Sequence, residues 1–287
     1  MANYVIMSDT GCDIEFETLR DWGVGFKGLT FHFEDGIEHP EGGMSKSEFY
    51  ARMRAGEVSK TSAVNSQNFK DLFEEAIKEG NDILYLGFSS GISATSSSAE
   101  MAANELREEY PDRKIVTIDT LAASAGQGLI LHLAVEKKKN GASLDEVASY
   151  VREIIPKTAH WFTVEDLVYL KRGGRVSAAA AFAGGVLGIK PVLHVDNEGH
   201  LINIMKVRGR TQSLKTIAKK YMETALDPAG GLYFISHGDC LEDARELESM
   251  IVAEGGNKCA LITEIGMIIG SHAGPGTIAL FFLANER

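Results

Sequence analysis

Four hydroxyls fall within seven residues in the segment Ser89-Ser90-Gly91-Ile92-Ser93-Ala94-Thr95. The segment follows a β-rich run and precedes a helical stretch near residues 99–108. A helix start leaves several backbone N–H groups without internal partners and adds the positive end of the helix dipole, so such a place can hold a small anion. The same hydroxyls also serve as ordinary helix caps. Gly91 to Thr95 comes within one residue of the G-x-S-x-G nucleophile elbow, and Asp119 and His272 follow in the chain order of α/β-hydrolases. A serine hydrolase using Ser93 and His272 is therefore the enzyme alternative. Against it, Thr95 stands where the elbow has Gly, and no oxyanion segment of the HGGG kind precedes Ser93.

Three further segments carry reactive or binding side chains. Thr61-Ser62 reads as loop ahead of a helix capped by Ser66. Gly270-Ser271-His272-Ala273-Gly274-Pro275-Gly276-Thr277 reads as a glycine-punctuated loop between two β-rich runs, and its histidine can donate, accept or titrate near neutral pH. Asp166 to Ser177 joins an apolar run to the basic turn Lys171-Arg172-Gly173-Gly174-Arg175, which could cradle phosphate or be a solvated turn with a cap at Ser177. Arg208 and Arg210 carry the same ambiguity at a strand end. Gly23-Val24-Gly25-Phe26-Lys27-Gly28 matches G-x-G-x-x-G, but it follows a helix-like stretch and enters a strand-like one, the reverse of the dinucleotide fingerprint. With no Walker A sequence, HExxH or metal-spaced cysteine and histidine cluster, no cofactor and no metal are expected.

The elements that must position these groups follow from pattern. Short β-rich runs at 4–8, 83–88 and 115–119 alternate with amphipathic stretches, which predicts a mostly parallel sheet flanked by helices. In such sheets ligands settle outside the carboxyl ends of the strands. Ser45 to Glu48 and Ser143 to Glu146 match the capping box. Between Phe26 and Ile37, partial alternation and Asp35-Gly36 predict a strand or hairpin inserted before the first capping box. From about His160 the pattern changes: strands at 191–196 and 201–207 flank the turn Asn197-Glu198-Gly199, helices cover 211–225 and 241–253, and β-rich runs cover 232–236 and 260–264. The expectation is an α/β protein of two domains, residues 1–158 with the parallel sheet and 159–287 with a mixed or antiparallel one.

The chain of 287 residues has a formal net charge of −11, 44% hydrophobic and 24% charged residues. A surface so acidic disfavours nucleic acid or an anionic membrane as the main partner. Val176 to Ile189 is too short for a membrane span and reads as a packed helix. Cys12, Cys240 and Cys259 are widely spaced and odd in number, and the N-terminus lacks the basic and apolar regions of a secretory signal, so a cytoplasmic protein is expected.

Taken together, Thr61-Ser62, the Ser89–Thr95 segment, the Asp166–Ser177 segment and the Gly270–Thr277 loop resemble the DegV family in order and spacing along nearly the whole chain. The run Tyr169-Leu170-Lys171-Arg172-Gly173-Gly174-Arg175 is the most specific of these, and Ser8-Asp9-Thr10-Gly11-Cys12-Asp13 is similar to the family's first-strand turn. The resemblance implies a protein that binds a long-chain fatty acid between its two domains. It also implies an acyl-carrying subunit, not itself an enzyme, that works with the catalytic subunit of a fatty acid kinase. By that resemblance Thr61, Ser62, Ser93, Ala94, Thr95, His272 and Gly274 lie at the ligand, and Arg172, Arg208 and His272 contact the partner or a phosphate. Two positions depart from the family pattern: Ala63-Val64-Asn65 stands where Gln-Pro is common, and Ala94 where Gly is common. A small-molecule regulatory module is the remaining alternative.

Overall fold

In the computed structural model, which describes residues 3–176 and 188–287, the predicted first strand is β1 (Tyr4–Asp9), followed by α1 (Phe16–Asp21) and β2 (Val24–Lys27). A small antiparallel insertion comes next, formed by β3 (Thr30–His32) and β4 (Glu38–Pro40) and, after α2 (Lys46–Arg54), by β5 (Lys60–Ser62), in the order β4-β3-β5. The hairpin expected between residues 26 and 37 is thus present, with Phe26 itself assigned to β2. Thr61 and Ser62 are not in a loop. They form part of β5, where Thr61 lies opposite Phe31.

The chain continues through α3 (Ser66–Lys78), β6 (Asp82–Gly87), α4 (Thr95–Glu109), β7 (Ile115–Asp119), α5 (Ala125–Lys139) and α6 (Leu144–Ile154). The cap of α3 is Asn65, whose side-chain oxygen accepts from Asn68 N–H at 2.8 Å, rather than Ser66. The complete capping box predicted at Ser143 and Glu146 opens α6. Strands β2, β1, β6 and β7 make one wholly parallel sheet in that order. Its centre reads Ile83-Leu84-Tyr85-Leu86, all fully buried, as expected of a strand covered on both faces.

A six-stranded mixed sheet follows, built from β8 (Thr158–Thr163), β9 (Ile189–Val195), β10 (Leu201–Arg208), β11 (Tyr233–His237), β12 (Leu261–Glu264) and β13 (Ile278–Leu283), ordered β10-β9-β8-β13-β11-β12. Its helices are the short α7 (Val168–Arg172), α8 (Arg210–Thr224), α9 (Leu241–Ala253) and α10 (Met267–Ala273). The Gly270–Thr277 segment is therefore a loop only in its second half. Residues 270–273 complete a helix, because Gly270 and Ala273 pack inward and the chain turns only at Gly274. The helix expected over Val176–Ile189 and the cap at Ser177 fall largely outside the described residues.

Helix α5 joins the two sheets. Its first seven residues are all buried, and one apolar core runs from Leu84 and Leu86 of β6 through Leu129 and Ile130 of α5 to Phe162 and Phe281 in the mixed sheet.

Candidate functional site at the strand ends

In the parallel sheet the chain steps outward from β1 to β2 on one side and from β6 to β7 on the other, so β1 and β6 frame the point where ligands bind in open α/β sheets. Asp9 ties those two strand ends together. Its buried carboxylate accepts from Tyr85 Oη at 2.6 Å, Phe88 N–H at 2.9 Å, Gly11 N–H at 3.0 Å and Gln127 Nε2 at 3.3 Å. The link from β6 to α4 leaves this knot in a fixed direction. The β9–β10 hairpin braces it further, since Ser89 Oγ donates to the Gly199 carbonyl at 3.0 Å.

Beside this link lies a cavity of about 230 Å³, against roughly 10–15 Å³ for one water molecule by the same measure. Its wall is mostly apolar. Phe88 and Ile92 come from the β6–α4 link, Phe162 and Phe281 from the mixed sheet, and Ile268 and Ile269 from α10. The polar side chains on the wall are Thr61, Ser93, Ser124, His160, Arg175, His272 and Thr277. A large apolar cavity with a few convergent polar groups is the usual form of a small-molecule site.

The expected residues divide accordingly. Thr61, Ser93, Ala94 and His272 all line the cavity although they come from three places in the chain. Ser62 is exposed, while Thr95 is buried at the first position of α4. Thr95 reaches the site only through Ser93, whose Oγ accepts from Thr95 N–H at 3.2 Å and shares a hydrogen bond with Thr95 Oγ1 at 2.9 Å. Gly274 is buried behind the site, closing α10 under the ring of Tyr169. Arg208 is exposed at the end of β10 and is not part of the cavity wall.

His272 Nε2 lies 2.8 Å from Thr61 Oγ1, and its Nδ1 is buried with no hydrogen-bond partner among the described residues. Burial, assisted by the charge of Arg175, pushes the histidine pKa down to about 4, so the ring is neutral at pH 7. An unmade buried N–H is costly. The favoured tautomer therefore keeps the proton on Nε2, which donates to Thr61 and leaves the threonine hydroxyl free to donate into the cavity. Gly173 explains part of the basic glycine turn: a Cβ there would lie 2.1 Å from His272 Nδ1.

A second cavity, of about 240 Å³, shares Thr61, Arg175 and His272 with the first and adds Lys60, Tyr169 and Arg172. Arg175 donates to the Ile92 carbonyl at 3.1 Å, and burial lowers its pKa. The Thr61–His272 pair thus has a greasy chamber on one side and a basic one on the other. The sequence placed Arg175 in a basic cluster without assigning it to the site, and it gave no sign of His160, which reaches the wall from within an apolar strand.

The hydrolase relay is not assembled. Ser93 bonds to Thr95, His272 to Thr61, and Asp119 accepts from the N–H groups of Leu121 at 2.9 Å and Ser90 at 3.2 Å. No helix among the described residues is long and apolar enough to cross a membrane.

Known proteins bear on this geometry. A DegV domain-containing protein of Clostridium perfringens is 41% identical, with 100% of this chain and 99% of the relative aligned. A DegV family protein from Thermus thermophilus, solved as a fatty acid binder, superposes with a TM-score of 0.89 at 28% identity over 99% of this chain and all of that one. A stearic-acid-binding protein from Eubacterium ventriosum gives 0.87 at 25% identity, covering 98% of each chain. The family model for uncharacterised proteins of the DegV family matches residues 3–285, and the chain belongs to that family.

Proposed function

We propose that this protein holds a long-chain fatty acid, with the tail in the apolar cavity and the carboxylate at Thr61 and Ser93, and presents that carboxylate to the catalytic subunit of a fatty acid kinase. The observation that carries the reading is the Thr61–His272 pair, placed where the apolar cavity meets the chamber lined by Lys60, Arg172 and Arg175. The solved relatives from Thermus thermophilus and Eubacterium ventriosum, which bind fatty acids, support it.

The division of labour is physical. At ~0.8 kcal/mol per buried CH₂, about fourteen methylenes contribute on the order of 10 kcal/mol before association and ordering costs. The tail therefore sets affinity. Neutral hydroxyl donors fix the head without a permanent ion pair, leaving one carboxylate oxygen nucleophilic. That oxygen attacks the terminal phosphorus of ATP supplied by the partner, a new O–P bond forms as the bond to the ADP oxygen breaks, and an acyl phosphate results. The basic chamber offers positive charge where phosphate charge develops.

In this reading residues 1–158 and 159–287 are the two domains, with the ligand between them, and the protein works in the cytoplasm without catalysing a reaction alone. Incubation with palmitate, ATP and candidate kinase subunits tests it: acyl phosphate, trapped as hydroxamate, forms only when both proteins are present. Ester hydrolysis by the protein alone, abolished by Ser93→Ala, would support the hydrolase instead.

A further inference from the structure

Helix α10 carries the site's histidine near its C-terminal end, and its N-terminal end is held by two acidic side chains from distant parts of the chain. Glu41, just beyond β4, directs both carboxylate oxygens at the first turn: Met267 N–H donates to Oε1 at 2.8 Å and Ile268 N–H to Oε2 at 3.0 Å. Asp13 Oδ1 accepts from Gly266 N–H at 2.9 Å, and its other oxygen is bonded by Ser124 Oγ. Three consecutive N–H groups at the helix start therefore meet carboxyl oxygens, which satisfies donors that a helix start leaves without internal partners. The fit is close, since a Cβ on Gly266 would lie 2.3 Å from Glu41 Oε1.

The surroundings hold the clamp in register. Lys46 of α2 donates to the Glu264 carbonyl at 2.8 Å and pairs with Glu15, and Tyr50 donates to the Ile265 carbonyl at 3.0 Å. Glu41 itself does not line the fatty-acid cavity. It acts at a distance through a helix whose seven residues rise only about 10 Å. Ile268 and Ile269 form cavity wall in the middle of that helix, and His272 reaches Thr61 from its last turn. So short a rod has no other turn in which to absorb a loosened start.

We infer that Glu41 is a positioning residue for the head-group pair: by clamping the first turn of α10 it sets the contact between His272 and Thr61 and holds one wall of the cavity in place. The consequence for ligand retention rests on the fatty-acid reading, whereas the consequence for His272 does not.

The experiment reads both. Ring NMR signals of His272, assigned by their loss in His272→Gln, are recorded without ligand in the wild type, Glu41→Ala and Glu41→Gln, and palmitate release is timed in the same proteins. Glu41→Ala should shift or broaden the His272 signals and release palmitate on the order of tenfold faster, the equivalent of one lost hydrogen bond. Glu41→Gln, which keeps one carbonyl acceptor, should fall between. A Ser143→Ala control, which removes the α6 capping box, should lower stability without moving His272. Unchanged His272 signals in folded Glu41→Ala overturn the inference. If that variant does not fold, Glu41→Gln decides on the same signals. Shifted signals in a protein that never takes up palmitate uphold the positioning role and count against the fatty-acid reading.

Discussion

His272 and Thr61, 211 positions apart in the chain, meet through Nε2 and Oγ1 at 2.8 Å, and this contact lies on both the apolar and the basic cavity. It converts a threonine on a three-residue strand into an oriented donor. The histidine takes up one lone pair of the hydroxyl and leaves its proton free to donate into the apolar cavity.

Thr61→Ala and Ser93→Ala should each weaken fatty-acid binding by about 1–3 kcal/mol, the cost of one unmade buried hydrogen bond. Displacement of a fluorescent fatty acid measures the change. Equal affinity in both variants and wild type would remove these hydroxyls from the head-group site.

Gly173→Ala should drive the His272 ring from its place, because the new methyl group would begin 2.1 Å from Nδ1. Overpacking of this kind costs roughly 1–3 kcal/mol of stability. Denaturant unfolding should register that loss, and fatty-acid titration should show weaker binding.

The fold was largely legible in the sequence, and the site was legible in pieces. Uninterrupted apolar strands such as Ile83 to Leu86 and sharp helix caps such as Ser143 announce themselves locally. Helix α5 did not, since a helix buried all around its first two turns has no polar stripe to mark it. Thr61 looked like loop because a three-residue strand is too short for alternation to register, and its strand identity comes from pairing with Phe31. The start of α10 was hidden for a related reason: its N-cap is Gly266, and the carboxylates that hold its N–H groups lie more than 200 positions away, at Glu41 and Asp13. The glycines of the basic turn were visible as residues, but their purpose required the histidine ring that packs on them.

Stability should respond to pH in two opposed ways. Burial raises the Glu41 pKa to about 7, with repulsion from Asp13 adding to it, and raises Asp13 to about 6. A raised carboxyl favours the protonated folded state, so this contribution is complete below about pH 4 and is lost as pH rises from there to about 7. His272, lowered to about 4, does the reverse: the unfolded state takes up its proton first, and stability is lost as pH falls from about 6.5 towards 4. Glu41→Gln should therefore remove part of the stability lost as pH rises from about 4.5 to 7, and His272→Gln part of the stability lost as pH falls from about 6.5 to 4. Unfolding curves across that range check both signs.

Arg172→Glu should leave fatty-acid affinity within about 0.5 kcal/mol of wild type, as an exposed substitution away from the apolar cavity. Under the proposed function it should nonetheless reduce acyl-phosphate formation with a kinase subunit by reversing a charge in the basic chamber. Equal yields from both proteins would show that this arginine takes no part in transfer.

Native mass spectrometry of freshly purified protein shows whether the chain carries a fatty acid. A fatty-acid binder should show a population heavier than the 31.1 kDa chain by the mass of one long-chain fatty acid, lost on denaturation and restored by incubation with palmitate. A single ligand-free mass that stays unchanged after prolonged incubation with long-chain fatty acids would contradict the fatty-acid reading.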